Sequence, residues 1–316
     1  MLQWQHTTAP APVIVSTSYS APSSSQASWV CQQPSTRREW RTLSEPEKND
    51  YINAVQCLAT KPSKLRNNGT LYDDFPWVHK RASTYTHKSA PFLPWHRYYI
   101  HLYEKALKED CSFTGDLPYW DWSLDWNNFH AAPVWDSVSG LGGDGDASGA
   151  MTVGEGRCVT KGPFSSIKVR YFDGEEHPHC LSRGFPSDGE LKELGELIKP
   201  EVIEDLMTEP DFDKFASEVE RRGHKFLSHS VRGDLSKFTG PNDPVFFLHH
   251  TNLDRLWSQW QQTDPAKRLN AYNGKANGNS MEPAQLSDPL DMDGLSRNLM
   301  VQNVMETQGG QFCYKY

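Results

Sequence analysis

Histidine is the residue through which this chain is best equipped to do chemistry. The 316-residue sequence holds 12 histidines, and seven fall in two windows: His79, His87 and His96 in the first, His224, His229, His249 and His250 in the second. A lone histidine is more often a packed or surface residue than a ligand. Two such groups instead point to a paired metal site. The windows hold almost no cysteine and few carboxylates beside the histidines, so the His-carboxylate sets of hydrolytic zinc and non-haem iron fit poorly. Imidazole alone suits copper: neutral nitrogens add no negative charge, so Cu(I) is not disfavoured, and each ion keeps an open position. Two such ions close together can pass two electrons to oxygen. The expected cofactor is therefore a pair of copper ions.

The neighbouring residues support that geometry. Phe92 stands four residues before His96 and Phe246 four before His250, so on a helix each ring lies on the histidine's face and restricts its rotation, while also serving as core packing. Asp254 follows His250 by four and is placed to accept the second imidazole N–H, which would fix the tautomer.

Helices must carry these side chains. Ser44-Glu45-Pro46-Glu47 is a capping box with proline in the first turn; Tyr51, Ile52, Val55 and Leu58 follow at helical spacing, and Pro62 closes the element. A second helix is expected from Asp74, with Pro76 in its first turn and His79 on it, and a third from near Pro94 to about Asp110, with His87 in the loop between. Further helices are expected at 190–199, 200–207, 211–230 and 244–262. The stretch from Trp122 to Pro186 lacks periodicity, and glycines crowd 140–156, so it reads as long surface loops, with His177-Pro178-His179 exposed on one of them. The fold class expected is mainly α: a four-helix-bundle core around the dicopper site with long irregular loops.

Residues 1–30 differ from the rest, because the stretch to Ala27 is rich in Ser, Thr, Ala and Pro without apolar periodicity. They read as a flexible arm, and 31–316 as one catalytic domain without internal repeats. The formal charge is -8 and the basic residues are scattered, which argues against nucleic acid and anionic membranes as partners. No apolar run approaches a membrane span, and the start lacks the basic and apolar regions of a signal peptide. Six cysteines without a CxxC, together with the sequon Asn68-Gly69-Thr70, point to disulfides and the secretory pathway. Six cysteines allow about 15 pairings, among which sequence does not choose; the pairing taken forward is Cys57 with Cys111, Cys158 with Cys180, and Cys31 with Cys313.

Three stretches resemble the tyrosinase and catechol oxidase family of type 3 copper phenol oxidases, most closely its short fungal members. They are Phe92-Leu93-Pro94-Trp95-His96-Arg97, then Leu117-Pro118-Tyr119-Trp120-Asp121-Trp122, then Asn242-Asp243-Pro244-Val245-Phe246-Phe247-Leu248-His249-His250-Thr251-Asn252-Leu253-Asp254-Arg255. The resemblance implies oxidation of small phenols by O2, o-diphenols to o-quinones and some monophenols with them; it is silent on oligomeric state. It implies that His79, His87 and His96 bind copper A and that His250 is the third ligand of copper B. His249 then falls about 100° round the helix, behind the metal. Tyr314-Lys315-Tyr316 resembles the family's closing tyrosine motif, expected to pack on Arg37 or Arg38, so the chain is expected to stop with the catalytic core.

One departure matters. The family places its first two copper B ligands at i and i+4, but here the partner four beyond His224 is Ser228, and the next histidine, His229, is five beyond. Five positions correspond to ~140° around a regular helix. The expectation is a π-bulge that brings His224 and His229 to one copper; the alternative is that only one of them binds and copper B is impaired. Glu220, four before His224, matches the family's water-holding glutamate, and Lys225 stands where an asparagine would help it. A cation cannot accept a hydrogen bond, so diphenol oxidation is expected to outpace monophenol hydroxylation. A non-catalytic dicopper oxygen carrier, in the manner of haemocyanins, is the competing reading.

Overall fold

A computed structural model describes residues 31–316; the expected N-terminal arm, residues 1–30, lies outside them. Among the described residues eight helices run α1 Glu45–Leu58, α2 Leu71–Thr86, α3 Phe92–Cys111, α4 Asp188–Gly195, α5 Pro200–Thr208, α6 Phe212–Val231, α7 Val245–Thr263 and the short α8 Pro265–Arg268. The short strands of the same residues, β1 Ser35–Thr36, β2 Arg157–Cys158, β3 Lys168–Phe172, β4 Glu175–Cys180, β5 Ser182–Arg183, β6 Pro289–Leu290, β7 Leu299–Met300 and β8 Tyr314–Lys315, associate as two-stranded pairs. The mainly helical architecture matches the expectation from periodicity. Helix α3 packs on α7, and α2 and α6 complete the four-helix core, while α1 packs on α3 as a fifth helix. No helix among the described residues is long and apolar enough to cross a membrane.

Helix α3 begins at Phe92 rather than near Pro94 and α4 runs Asp188–Gly195 rather than 190–199, and capping explains the shift at the start of α2. Helix α2 begins at Leu71 rather than Asp74, because Thr70 and Asp73 satisfy each other's backbone N–H groups. Asp74 instead turns its carboxylate to Ser63 and the Lys64 amide. Pro76 therefore sits inside the helix, where it forgoes one ladder bond. The Trp122–Pro186 stretch also holds more order than its composition suggests: β3 and β4 pair antiparallel around Asp173 and Gly174, both at positive φ. His179 is consequently not a surface residue. It is buried on β4 with its Nε2 2.9 Å from Asp234, and although burial opposes the charged form, that carboxylate raises its pKa overall. His177 remains exposed.

The three disulfides join Cys57 to Cys111, Cys158 to Cys180 and Cys31 to Cys313. They tie α1 to α3, β2 to β4, and the start of the described chain to its end.

At the centre lies a buried ionic knot. Asp254 on α7 accepts from Arg97 of α3 and from Arg37 at 3.3 Å, and the hydroxyls of Tyr314 and Tyr316 donate to the same carboxylate. Arg37, not Arg38, is the arginine on which the tyrosine motif packs: its guanidinium lies 3.6 Å from the Tyr314 ring centre and pairs with Glu104 at 2.6 Å, while parallel pairing of β1 with β8 holds the strands together. Burial raises the Asp254 carboxyl, but the two guanidinium charges prevail and hold it below the usual range. Removing one partner from such a group strands an uncompensated buried charge, at a cost of about 3–5 kcal/mol. Asp254→Ala should therefore lower unfolding stability by about that amount in chemical denaturation; a change near zero would show that the knot contributes nothing.

Candidate copper centre

The first three histidines converge from adjoining elements. His79 lies on α2, His87 is the residue that ends it, and His96 lies on α3; all three are buried, with one ring nitrogen of each within 4.8 Å of the others. Their tautomers are set by their surroundings. Carbonyl oxygens accept from the Nδ1–H of His79 (Phe238, 2.6 Å) and of His96 (Phe92, 2.7 Å). Thr86 spends its hydroxyl proton on the Ala82 carbonyl and is left to accept from His87 Nδ1 at 3.1 Å. Every Nε2 of the trio thus carries a lone pair. Those of His79 and His96 face each other at 3.1 Å and that of His87 is buried without a partner. Three lone pairs converging with no proton between them suit a shared cation, so these residues fit one copper ion.

The second group is less complete. His250 on α7 stacks on His96 at 4.2 Å between ring centres, and both of its nitrogens are buried without a partner. His224 on α6 lies 5.1 Å from the His87 ring and 6.2 Å from that of His250. Gly223 lets α6 come this close: a Cβ there would meet Leu253 at 3.0 Å and His249 at 3.4 Å. His224, Ser228, His249 and His250 line one cavity with His79 and Phe246. Burial depresses the pKa of each of these histidines, His79 to about 3 and His224 to about 4, so the rings are neutral.

His229 does not join them. Helix α6 is regular from Phe212 to Val231, without the π-bulge expected from the sequence, and His229 is exposed on its outer face. Ser228, one turn beyond His224, takes the inward position and donates its proton to the His224 carbonyl at 2.6 Å. Asp254 does not hold His250 either, because two arginines and two phenols occupy its carboxylate. Of the second window, His224, His249 and His250 line the cavity and His229 does not.

The supporting residues surround this cluster. The Phe92 ring lies 4.8 Å from His96, and Phe246 lies 4.1 Å from His250 and 4.9 Å from His79. His249 is held by Trp122, whose indole N–H donates to its Nδ1 at 3.1 Å. Glu220 is buried one turn before His224, and both of its oxygens accept from the Lys88 amide, at 3.0 and 2.9 Å. Lys88 follows His87 at φ 57°, a costly conformation for a residue with a Cβ, which this contact from α6 secures. Burial pushes the Glu220 carboxyl up to about 7 against the lowering effect of that amide. Lys225 is exposed. Sequence reasoning missed the inward turn of Ser228 and the clamp of Glu220 on Lys88; the i,i+4 spacing from His224 was the available signal for the former.

Comparison with known proteins agrees with this geometry. Residues 69–263 match the family described as the common central domain of tyrosinase. The chain is 44% identical over 287 residues to the tyrosinase ustQ of Aspergillus flavus, covering 90% of this chain and 80% of that protein. It is 42% identical over 304 residues to the tyrosinase-like protein phomQ1 of Diaporthe leptostromiformis, covering 90% and 78%. Among solved structures it is similar to a polyphenol oxidase variant from Thermothelomyces thermophila, with a TM-score of 0.78, 27% identity, and coverage of 90% of this chain and 88% of that one. Since the matched segment holds every histidine that faces the cavity, the chain belongs to the tyrosinase family and is a copper-binding oxidoreductase.

Proposed function

We propose that this chain oxidises small o-diphenols to o-quinones with molecular oxygen, and hydroxylates monophenols more slowly. The observation that carries the reading is the convergence of unprotonated imidazole nitrogens from α2, α3, α6 and α7 on one buried cavity. His79, His87 and His96 would hold one copper and His224 and His250 the other. Bound copper supplies the redox chemistry, by which two diphenols each lose two electrons and two protons while one oxygen molecule becomes two waters.

The residues around the metals do the rest. Leu227, Leu235 and Phe246 give the cavity apolar walls, which favour an aromatic ring over a charged or sugar-like substrate. Exposed Lys237 stands at its rim. Buried carbonyls and Thr86 keep the ligand rings oriented. Glu220, whose carboxyl burial pushes up to about 7, would take the proton that a monophenol must lose before it is hydroxylated, giving up the Lys88 amide that it holds. Exposed Lys225 offers that proton's water no acceptor.

Initial rates on catechol should therefore exceed those on phenol or tyrosine, and equal rates would overturn the diphenol preference. Only the ionised carboxylate accepts a proton, so hydroxylation should climb as pH rises through about 7 and level off above it. Glu220→Gln should cost hydroxylation at least about a hundredfold and catechol oxidation much less. An unaltered phenol rate in that variant would remove Glu220 from the reaction.

A further inference from the structure

We infer that the second copper position is a two-imidazole site, held by His224 and His250, with Ser228 standing where a third imidazole would reach it. The inference rests on the oxidase reading above and concerns the affinity and openness of one half of its centre.

The argument is by the chemistry of each neighbouring donor. His229 points to solvent from a regular helix, ~140° away from His224. His249 is buried beside the cavity with an unpartnered Nε2, but its Nδ1 accepts the Trp122 indole proton at 3.1 Å. An indole N–H can only donate, so the proton of this neutral imidazole sits on Nε2. His249 therefore offers an N–H donor where a ligand would have to offer a lone pair. Asp254 is committed to Arg97, Arg37, Tyr314 and Tyr316, and both oxygens of Glu220 to the Lys88 amide. That leaves Ser228, which lines the cavity one turn from His224. A neutral hydroxyl is a poor copper ligand beside imidazole.

The two positions consequently bind copper unequally, the trio of His79, His87 and His96 filling first. The coordination place that Ser228 does not supply falls to a solvent or substrate oxygen, with the His249 Nε2–H as a buried hydrogen-bond donor beside it.

Titrating the metal-free chain with Cu(I) against a chromophoric chelator, with bound copper counted after dialysis, tests this directly. Two classes of site should appear, the weaker by at least about tenfold, since even indirect changes around a metal cost about 10–100-fold. His224→Ala should remove the weak class and keep the strong one, Ser228→His should tighten the weak class by about tenfold or more, and His229→Ala should change neither. Two classes of equal affinity, or loss of the weak class in His229→Ala, would overturn the inference. If Ser228→His does not fold, the contrast between His224→Ala and His229→Ala decides alone. Unequal classes without catechol oxidation at full occupancy would overturn the oxidase reading and uphold this one; equal tight classes with oxidation would do the reverse.

Discussion

The Asp254 carboxylate sets the distance on which the whole site depends. It lies one turn beyond His250 on α7 and binds Arg97, the residue after His96 on α3. The same contact that neutralises a buried charge thus fixes the register of the two helices, and with it the stacking of His96 on His250 at 4.2 Å. Arg37, Tyr314 and Tyr316 close on that carboxylate from opposite ends of the described chain, so the segments most distant in sequence are organised by one side chain. Breaking the knot would release the helix pair, not merely one ion pair.

Charge and neutrality are kept apart within a few turns of helix. The knot sets an ionised carboxylate between two guanidinium groups, whereas the adjacent imidazoles are neutral because burial disfavours their protonated form. Facing lone pairs such as those of His79 and His96 repel in the absence of a cation. The fold therefore holds the first trio in an arrangement that metal binding stabilises, and stability and metal content are coupled in such sites. The charged knot lets the protein impose that arrangement, since its attraction is strongest where water is excluded.

Much of this was legible in the sequence because it is local. The i,i+4 relations of Phe92 to His96 and Phe246 to His250 follow from helical geometry alone, and the first trio of histidines stands in one short window. What failed was non-local or competitive. Asp254 has the right spacing to serve His250, but no pattern in sequence announces that two arginines and two tyrosines will claim it first. The inward turn of Ser228 was written in its spacing from His224, yet histidine chemistry made His229 the more attractive candidate, and a regular helix prevailed over the bulge that candidate required. The β3–β4 hairpin was hidden because both strands are short, β4 is polar and the pairing is interrupted by a register shift. His179 owes its burial to Asp234, a partner 55 residues away.

The bond between Cys31 and Cys313 spans 282 residues and has a topological effect distinct from its effect on the denatured ensemble. Every peptide bond of the helical core, and the glycine-rich segment from Gly140 to Gly156, lies inside the covalent ring it closes. A single cut in that segment opens the ring without producing two molecules. The half that carries His79, His87 and His96 stays tethered to the half that carries His224 and His250, at a junction where the Arg37 and Tyr314 contacts already bring the ends together. The copper-binding halves are thus insured against separation by a surface nick, a form of robustness that belongs to the connectivity of the chain rather than to its packing.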